Sequence, residues 1–176
     1  MIIITAVGVD RPGMVHAVAS ELAAAGCNIE DTTMTRLSGE FAMILIVSPP
    51  KDETPETLLE RLTPIGASHG LFINCKEIPD DAVEEGEDDP SRFIVTVYGP
   101  ESTGLLAHIT CVLSGHKVNI TDVQSRVASG GKVYVMVFEV ELPSGLSDET
   151  LRDSLETAAA EIDAQVSLNP LDEDVM

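Results

Sequence analysis

The chain has 176 residues, 44% of them hydrophobic, and carries a formal net charge of −20 from 30 acidic and 10 basic side chains. That length and apolar content can bury one ordinary core or two small ones. A field of that sign repels phosphate backbones, so direct nucleic-acid binding is not expected; no apolar run is long enough for a membrane span.

Ile2 to Val7 is a continuous apolar run and predicts a strand that is covered on both faces or central in its sheet. The start Met1-Ile2-Ile3-Ile4 lacks a basic leader and a cleavage site, so the expected compartment is the cytoplasm. The run breaks at Gly8 and passes through Asp10-Arg11-Pro12-Gly13. Val15, Val18, Ala19 and Leu22 then recur at i, i+3, i+4, i+7, predicting a helix from about Pro12 to Ala25 that Gly26 stops. Such a loop aims backbone N–H groups of a helix start at whatever lies above it, which suits carboxylates and phosphates.

Asn28 to Leu37 predicts a second strand, Ser38-Gly39 a hairpin turn, and Phe41 to Val47 its partner. Thr54 is placed to cap a second helix starting at Pro55 and lined by Leu58, Leu59, Leu62 and Ile65. Pro64 is expected to break or distort its last turn. Leu71 to Ile78 closes a β-α-β-β-α-β unit, the ferredoxin-like order, with antiparallel strands and helices on one face.

The pattern then repeats. Pairing Glu101 with Asp10 gives an offset of 101 − 10 = 91, at which Gly8 meets Gly99, Gly13 meets Gly104, Asn28 meets Asn119 and Asp31 meets Asp122. The predicted second helix face is Leu106, Ile109, Thr110 and Leu113; one deletion later, Arg36 pairs with Arg126. Coincident glycines, asparagines and acids argue for internal duplication. The later strands are Arg92 to Tyr98, Val118 to Ala128, Lys132 to Leu142 and Gln165 to Asn169, with Gly130-Gly131 as the hairpin turn. The helices begin near Thr103 and, after a Ser147 cap, near Asp148; the second carries Leu151, Leu155, Ala158, Ala159 and Ile162 on one face. The expected division is an α+β module over 1–78, an acidic linker over 79–91, a second module over 92–171 and an acidic tail over 172–176.

Phe41, Met43, Leu45 and Val47 alternate with Ala42, Ile44 and Ile46, so this hairpin strand is apolar on both faces. Helices cover only one of them. The second face is expected to meet protein, either the other half or a second chain in a homodimer.

The run from Asp10 to Val47, with its D-R-P-G…G-x-N-I pattern, resembles the first module of tandem ACT-domain regulators of the glycine cleavage system repressor type. The likeness extends to the second half, where Glu101-Ser102-Thr103-Gly104 stands in place of Asp10-Arg11-Pro12-Gly13. The resemblance implies an amino-acid site built from Asp10, Pro12, Gly13, Met14 and Val15 with Asn28 and Ile29, in such proteins often across a module interface. In the second half it implies Glu101, Thr103, Gly104, Leu105, Leu106, Asn119 and Ile120. It also implies a protein partner such as a transcription activator. The chemistry agrees: helix-start N–H groups suit an α-carboxylate, and the acid at Asp10 with the Asn28 oxygen suits an α-ammonium. A purely structural reading has Asp10 cap the helix and Asn28 fasten the loop to the strand. Glycine as ligand comes from the resemblance alone; Met14, Met34 and nearby apolar side chains can equally shape a pocket for something larger.

No catalytic or metal constellation emerges. His16, His69, His108 and His116 lie on different elements without paired spacing, and Ser102-Thr103-Gly104 has no adjacent base. Cys27, Cys75 and Cys111 are odd in number and set among apolar neighbours, as reduced, buried thiols are. No cofactor is expected. Two rival readings stay open: an acylphosphatase-like enzyme using Arg11 at an anion loop, and a structural dimerisation module without ligand.

Overall fold

In the first strand, β1 (Ile2–Val9), alternate residues take opposite sides. Ile2, Ile4 and Ala6 are buried while Val7 and Val9 are exposed, so one face of β1 becomes core. The computed structural model describes residues 1–79, 91–100, 103–128 and 133–171 of two compact units, Met1–Glu85 and Gly86–Met176. The linker segment 80–90, Glu101, Ser102, the segment 129–132 with the Gly130-Gly131 turn and the expected strand start at Lys132, and the tail 172–176 lie outside the described residues.

After β1 the first unit forms α1 (Met14–Ala24), β2 (Asn28–Leu37), β3 (Glu40–Ser48), α2 (Pro55–His69) and β4 (Leu71–Glu77). The second repeats the order as β5 (Ser91–Gly99), α3 (Leu105–Gly115), β6 (Asn119–Ala128), β7 (Val133–Leu142), α4 (Asp148–Ala160) and β8 (Gln165–Pro170). Each builds a four-stranded antiparallel sheet, β2-β3-β1-β4 and β6-β7-β5-β8. Both units are thus ferredoxin-like βαββαβ modules, and the apolar run of β1 is a central strand, as its composition predicts.

The core of each module lies between the sheet and its two helices. Ile4, Phe41, Met43, Leu45 and Val47 meet Val18, Leu22, Leu58 and Leu62 in the first; Val95, Met136, Phe138 and Val140 meet Ile109, Leu113, Leu151 and Leu155 in the second. At the end of β1 the backbone that leads from α2 into β4 comes so close that a Cβ built on Gly8 would overlap the Gly70 carbonyl oxygen. This contact fixes where the loop after β1 departs.

Several expectations change. The first helix starts at Met14, and its buried face is Met14, Val18 and Leu22; Val15 is 45% exposed. The third helix does the same: Leu105, not Thr103, begins it, Leu105 is buried, and Leu106 is 46% exposed. The i, i+3, i+4 spacing is satisfied equally well by a stripe rotated by one residue, and the loop decides which one is used. Pro64 does not break α2, which continues to His69 and ends at Gly70. A helix-interior proline costs about 3 kcal/mol, and burial of Leu58, Leu62 and Gly66 with a Thr54–Thr57 capping box outweighs it.

The thiols divide. Cys111 is exposed, against expectation, because the buried stripe Leu105, Ile109, Leu113 leaves it on the outer side of α3. Burial, reinforced by neighbouring Cys27, pushes the Cys75 thiol up to about 11. Cys27 is also raised, chiefly by burial, then by Glu53, with Arg61 opposing.

Two outcomes follow from this packing. Gly8→Ala is expected to lower unfolding stability by about 1–3 kcal/mol, measured by urea denaturation, because the opposing atom is backbone. With iodoacetamide near pH 8, mass spectrometry of the digested protein should find Cys111 alkylated first and Cys75 last. The thiolate is the nucleophile, and a raised pKa leaves little of it at that pH.

Candidate functional site

The loop from Asp10 to Gly13 is closed by one residue of unusual geometry. Gly13 is the N-cap of α1 with φ 95° and ψ −9°, and Gly104 is the N-cap of α3 with φ 95° and ψ −3°. A left-handed N-cap favours glycine, since a Cβ there meets its own backbone even where, as here, surrounding space is open. Neither cap receives a side-chain hydrogen bond. The first intrahelical bond runs from Ala17 N–H to the Gly13 carbonyl at 2.9 Å, with its counterpart from His108 to Gly104 at 2.8 Å. The N–H groups of Met14, Val15 and His16 therefore start the helix without a partner from within it.

Asp10 does not cap the helix, so its expected structural role is replaced by another. Its N–H donates to the Gly39 carbonyl at 2.9 Å, tying the loop to the β2–β3 turn. Its carboxylate accepts from Arg36 Nη1 at 3.3 Å, in a pair whose guanidinium is largely exposed. Beside it opens a cleft of about 520 Å³ lined by Asp10 to His16 together with Met34 and Phe41. Met14 and Phe41 are buried and form its floor; Val15 and Met34, 54% exposed, stand at its sides.

The residues Asp10, Pro12, Gly13, Met14 and Val15 are thus brought together, but Asn28 and Ile29 are not among them. Asn28 pairs with Ser48 and Ile29 with Val47, which pairs with Ile2, whereas Val9 pairs with Glu40. The two groups therefore occupy opposite ends of the sheet, roughly 23 Å apart at ~3.3 Å per residue. Asn28 Nδ2 donates to Glu30 Oε1 at 2.9 Å, and hydrogen bonds from Ser48, then Asn28, hold the Glu30 carboxyl below its usual range. Asn119 likewise donates to Glu141 Oε2 at 3.0 Å and pairs in register with it. The first of these bonds lies within β2, between residues two apart, and the second crosses from β6 to β7.

In the second module Thr103, Gly104, Leu105 and Leu106 are contiguous at the start of α3, with Leu105 in the core. Asn119 and half-buried Ile120 lie at the far end of their sheet. A second concavity of the first module, about 580 Å³, is lined by Ile2, Lys51, Thr54, Cys75 and Lys76 among others. Of its three acids, Glu53 is bound to Arg61 at 2.9 Å and Glu56 to the helix start, while Glu77 also lines it.

Sequence reasoning missed Arg36 and Phe41 as neighbours of the loop. The signal was the Ser38-Gly39 hairpin, which returns the end of β2 to the end of β1. It also misaligned the repeat: the bulges fall between Ile29 and Asp31 and between Ile120 and Asp122, at the same offset of 91 (120 − 29), with no deletion. Arg36 faces Phe41 as Val127 faces Tyr134, so the counterpart of Arg36 is Val127 and not Arg126. Among the described residues no group of three or more His, Cys, Asp or Glu can hold a metal ion, and no helix is long and apolar enough to cross a membrane.

Comparison with known proteins agrees with this architecture. The ACT domain family matches residues 1–76 and 91–169. The glycine cleavage system transcriptional repressor of Escherichia coli is 27% identical over 173 residues, 96% of this chain and 88% of its own. A crystal structure of an unknown protein from Galdieria sulphuraria superposes with a TM-score of 0.79 at 23% identity, covering 97% of this chain and 98% of the other. One of a candidate glycine cleavage system transcriptional repressor gives 0.68 at 22% identity, covering 98% and 97%. Both structures share the fold. The chain belongs to the ACT domain family, with one ACT module in each half.

Proposed function

We propose that this protein is a non-catalytic regulator that binds a free amino acid at the first loop of its first module and transmits the event by protein contact. The likeness to a transcriptional repressor over nearly the whole chain supports a regulatory role. The observation that carries the ligand is the juxtaposition, around one cleft, of the α1 N–H groups and the Asp10 carboxylate. The N–H groups receive an α-carboxylate; Asp10 receives an α-ammonium, exchanging it for Arg36.

The partner is a protein, such as a transcription activator, and control of glycine cleavage is the narrower role suggested by the Escherichia coli relative. A chain with 30 acids and 10 bases reaches such a target through protein rather than through DNA. Self-association uses the open sheet faces, where Val7, Val9 and Ile44 of the first module and Tyr98 of the second are exposed. Its setting is the cytoplasm. An acylphosphatase-like reading would have Arg11 hold a phosphate; Arg11 does line the cleft, but the Asp10 carboxylate stands in the same cleft and the whole chain is strongly negative.

A thermal-shift screen of the twenty amino acids tests this reading. A bound ligand at 100 times its Kd adds about 2.7 kcal/mol. Asp10→Ala should abolish that shift while costing the unliganded fold less than about 1 kcal/mol, the worth of an exposed ion pair. Gly13→Ala and Gly104→Ala should each destabilise the free protein by about 1–2 kcal/mol through the left-handed backbone. Calorimetric affinities unchanged in both Asp10→Ala and Gly13→Ala would place the ligand elsewhere.

A further inference from the structure

The two modules share the left-handed N-cap of their first helices, Gly13 and Gly104, and an exposed apolar residue after it, Val15 and Leu106, but differ on the facing strand. Register fixes the correspondence. Met34 faces Met43 on β3, and Ser125 faces Met136 on β7; Phe41 opposes Gly8, and Tyr134 opposes Gly99. Met34 therefore corresponds to Ser125, and Phe41 to Tyr134. In the second module these two are polar and joined, Tyr134 Oη donating to Ser125 Oγ at 2.8 Å. The position of Arg36, which holds Asp10, is taken there by Val127.

We propose that the cleft of the first module selects an amino acid with a sizeable apolar side chain over glycine, with Met34 and Val15 as its walls, and that replacement of the Met34 wall by Ser125 weakens this selection in the second module. This rests on the amino-acid reading given above and names the class of ligand. Partners on one side of an antiparallel pair point to the same face, so Met34 and Arg36 both stand on the helix-facing side of β2, alongside buried Met43 and Phe41. Met34 and Val15 are half-exposed thioether and isopropyl groups bordering a cleft of about 520 Å³, within the usual range for small-molecule sites. Burying them is favourable only against an apolar ligand group, and glycine brings none. The charged handles of the same cleft, Asp10 and the α1 N–H groups, match the two ends of a zwitterion and exclude a purely apolar occupant.

Titration calorimetry on the full chain with L-leucine, L-methionine, glycine and L-serine tests the proposal. Leucine and methionine should bind at least about tenfold tighter than glycine or serine, the discrimination that even one methylene can give in an apolar pocket. Met34→Ser, which installs the side chain of the second module, should lower the leucine-to-glycine ratio about tenfold. Asp10→Ala should lose both ligands, with circular dichroism showing each variant folded. Glycine or serine binding as tightly as leucine, but lost in Asp10→Ala, would overturn the apolar selection and leave the amino-acid site standing. A leucine affinity indifferent to Met34→Ser would likewise overturn it. Binding of none of the four would remove both readings.

Discussion

In each module the chain enters the first helix through a glycine at φ 95°. That single left-handed residue sets the phase of the helix. It puts Met14 and Leu105 into the core and turns Val15 and Leu106 outward. Shifting the phase by one residue would bury Val15 and expose Met14, removing both the floor and the wall of the cleft. The close approach of Gly8 to the Gly70 carbonyl holds the other end of the same loop. Between these two constraints the chain has little freedom in where Asp10 is presented.

Duplication left the frame in place while the contents changed. Both edge strands carry the same bulge at the same offset, and both start with an asparagine bonded to a glutamate. A bulge changes which face every later residue presents, so its position must be kept if the helix-facing side is to remain so. Within that register Met34 and Arg36 have become Ser125 and Val127. Backbone is conserved between the halves by packing; the cleft walls, on a mostly exposed edge strand, are not under that demand.

Most of the fold was legible because its signals are local and redundant. Strand alternation in Phe41 to Val47, the Ser38-Gly39 turn and the Thr54 and Ser147 caps each have one physical meaning, and the structure gives them that meaning. The helix phase was not legible, because Met14 and Val15 are both apolar and only the torsion at Gly13 separates them. Pro64 misleads for a different reason: the local cost is real, but tertiary burial of Leu58 and Leu62 is larger. For the site, contiguous residues from Asp10 to Val15 were readable as a unit. Asn28 was not, since sequence proximity to a helix end says nothing about which end of the sheet a strand begins at. Arg36 and Phe41 reach the loop only through pairing across the hairpin, which pattern alone does not reveal.

The pair between Asp10 and Arg36 has a consequence for how the loop waits. Its guanidinium is mostly in solvent, so holding it contributes at most about 1 kcal/mol. Arg36 thus acts as a tethered counterion, present at high local concentration yet easily displaced. A chain with so large an excess of carboxylates would otherwise leave Asp10 open to any metal ion or stray ammonium in solution. With the tether, an incoming cation must displace a resident one, at a cost of at most about 1 kcal/mol. Only a ligand that makes further contacts in the loop gains a large advantage over the resident guanidinium.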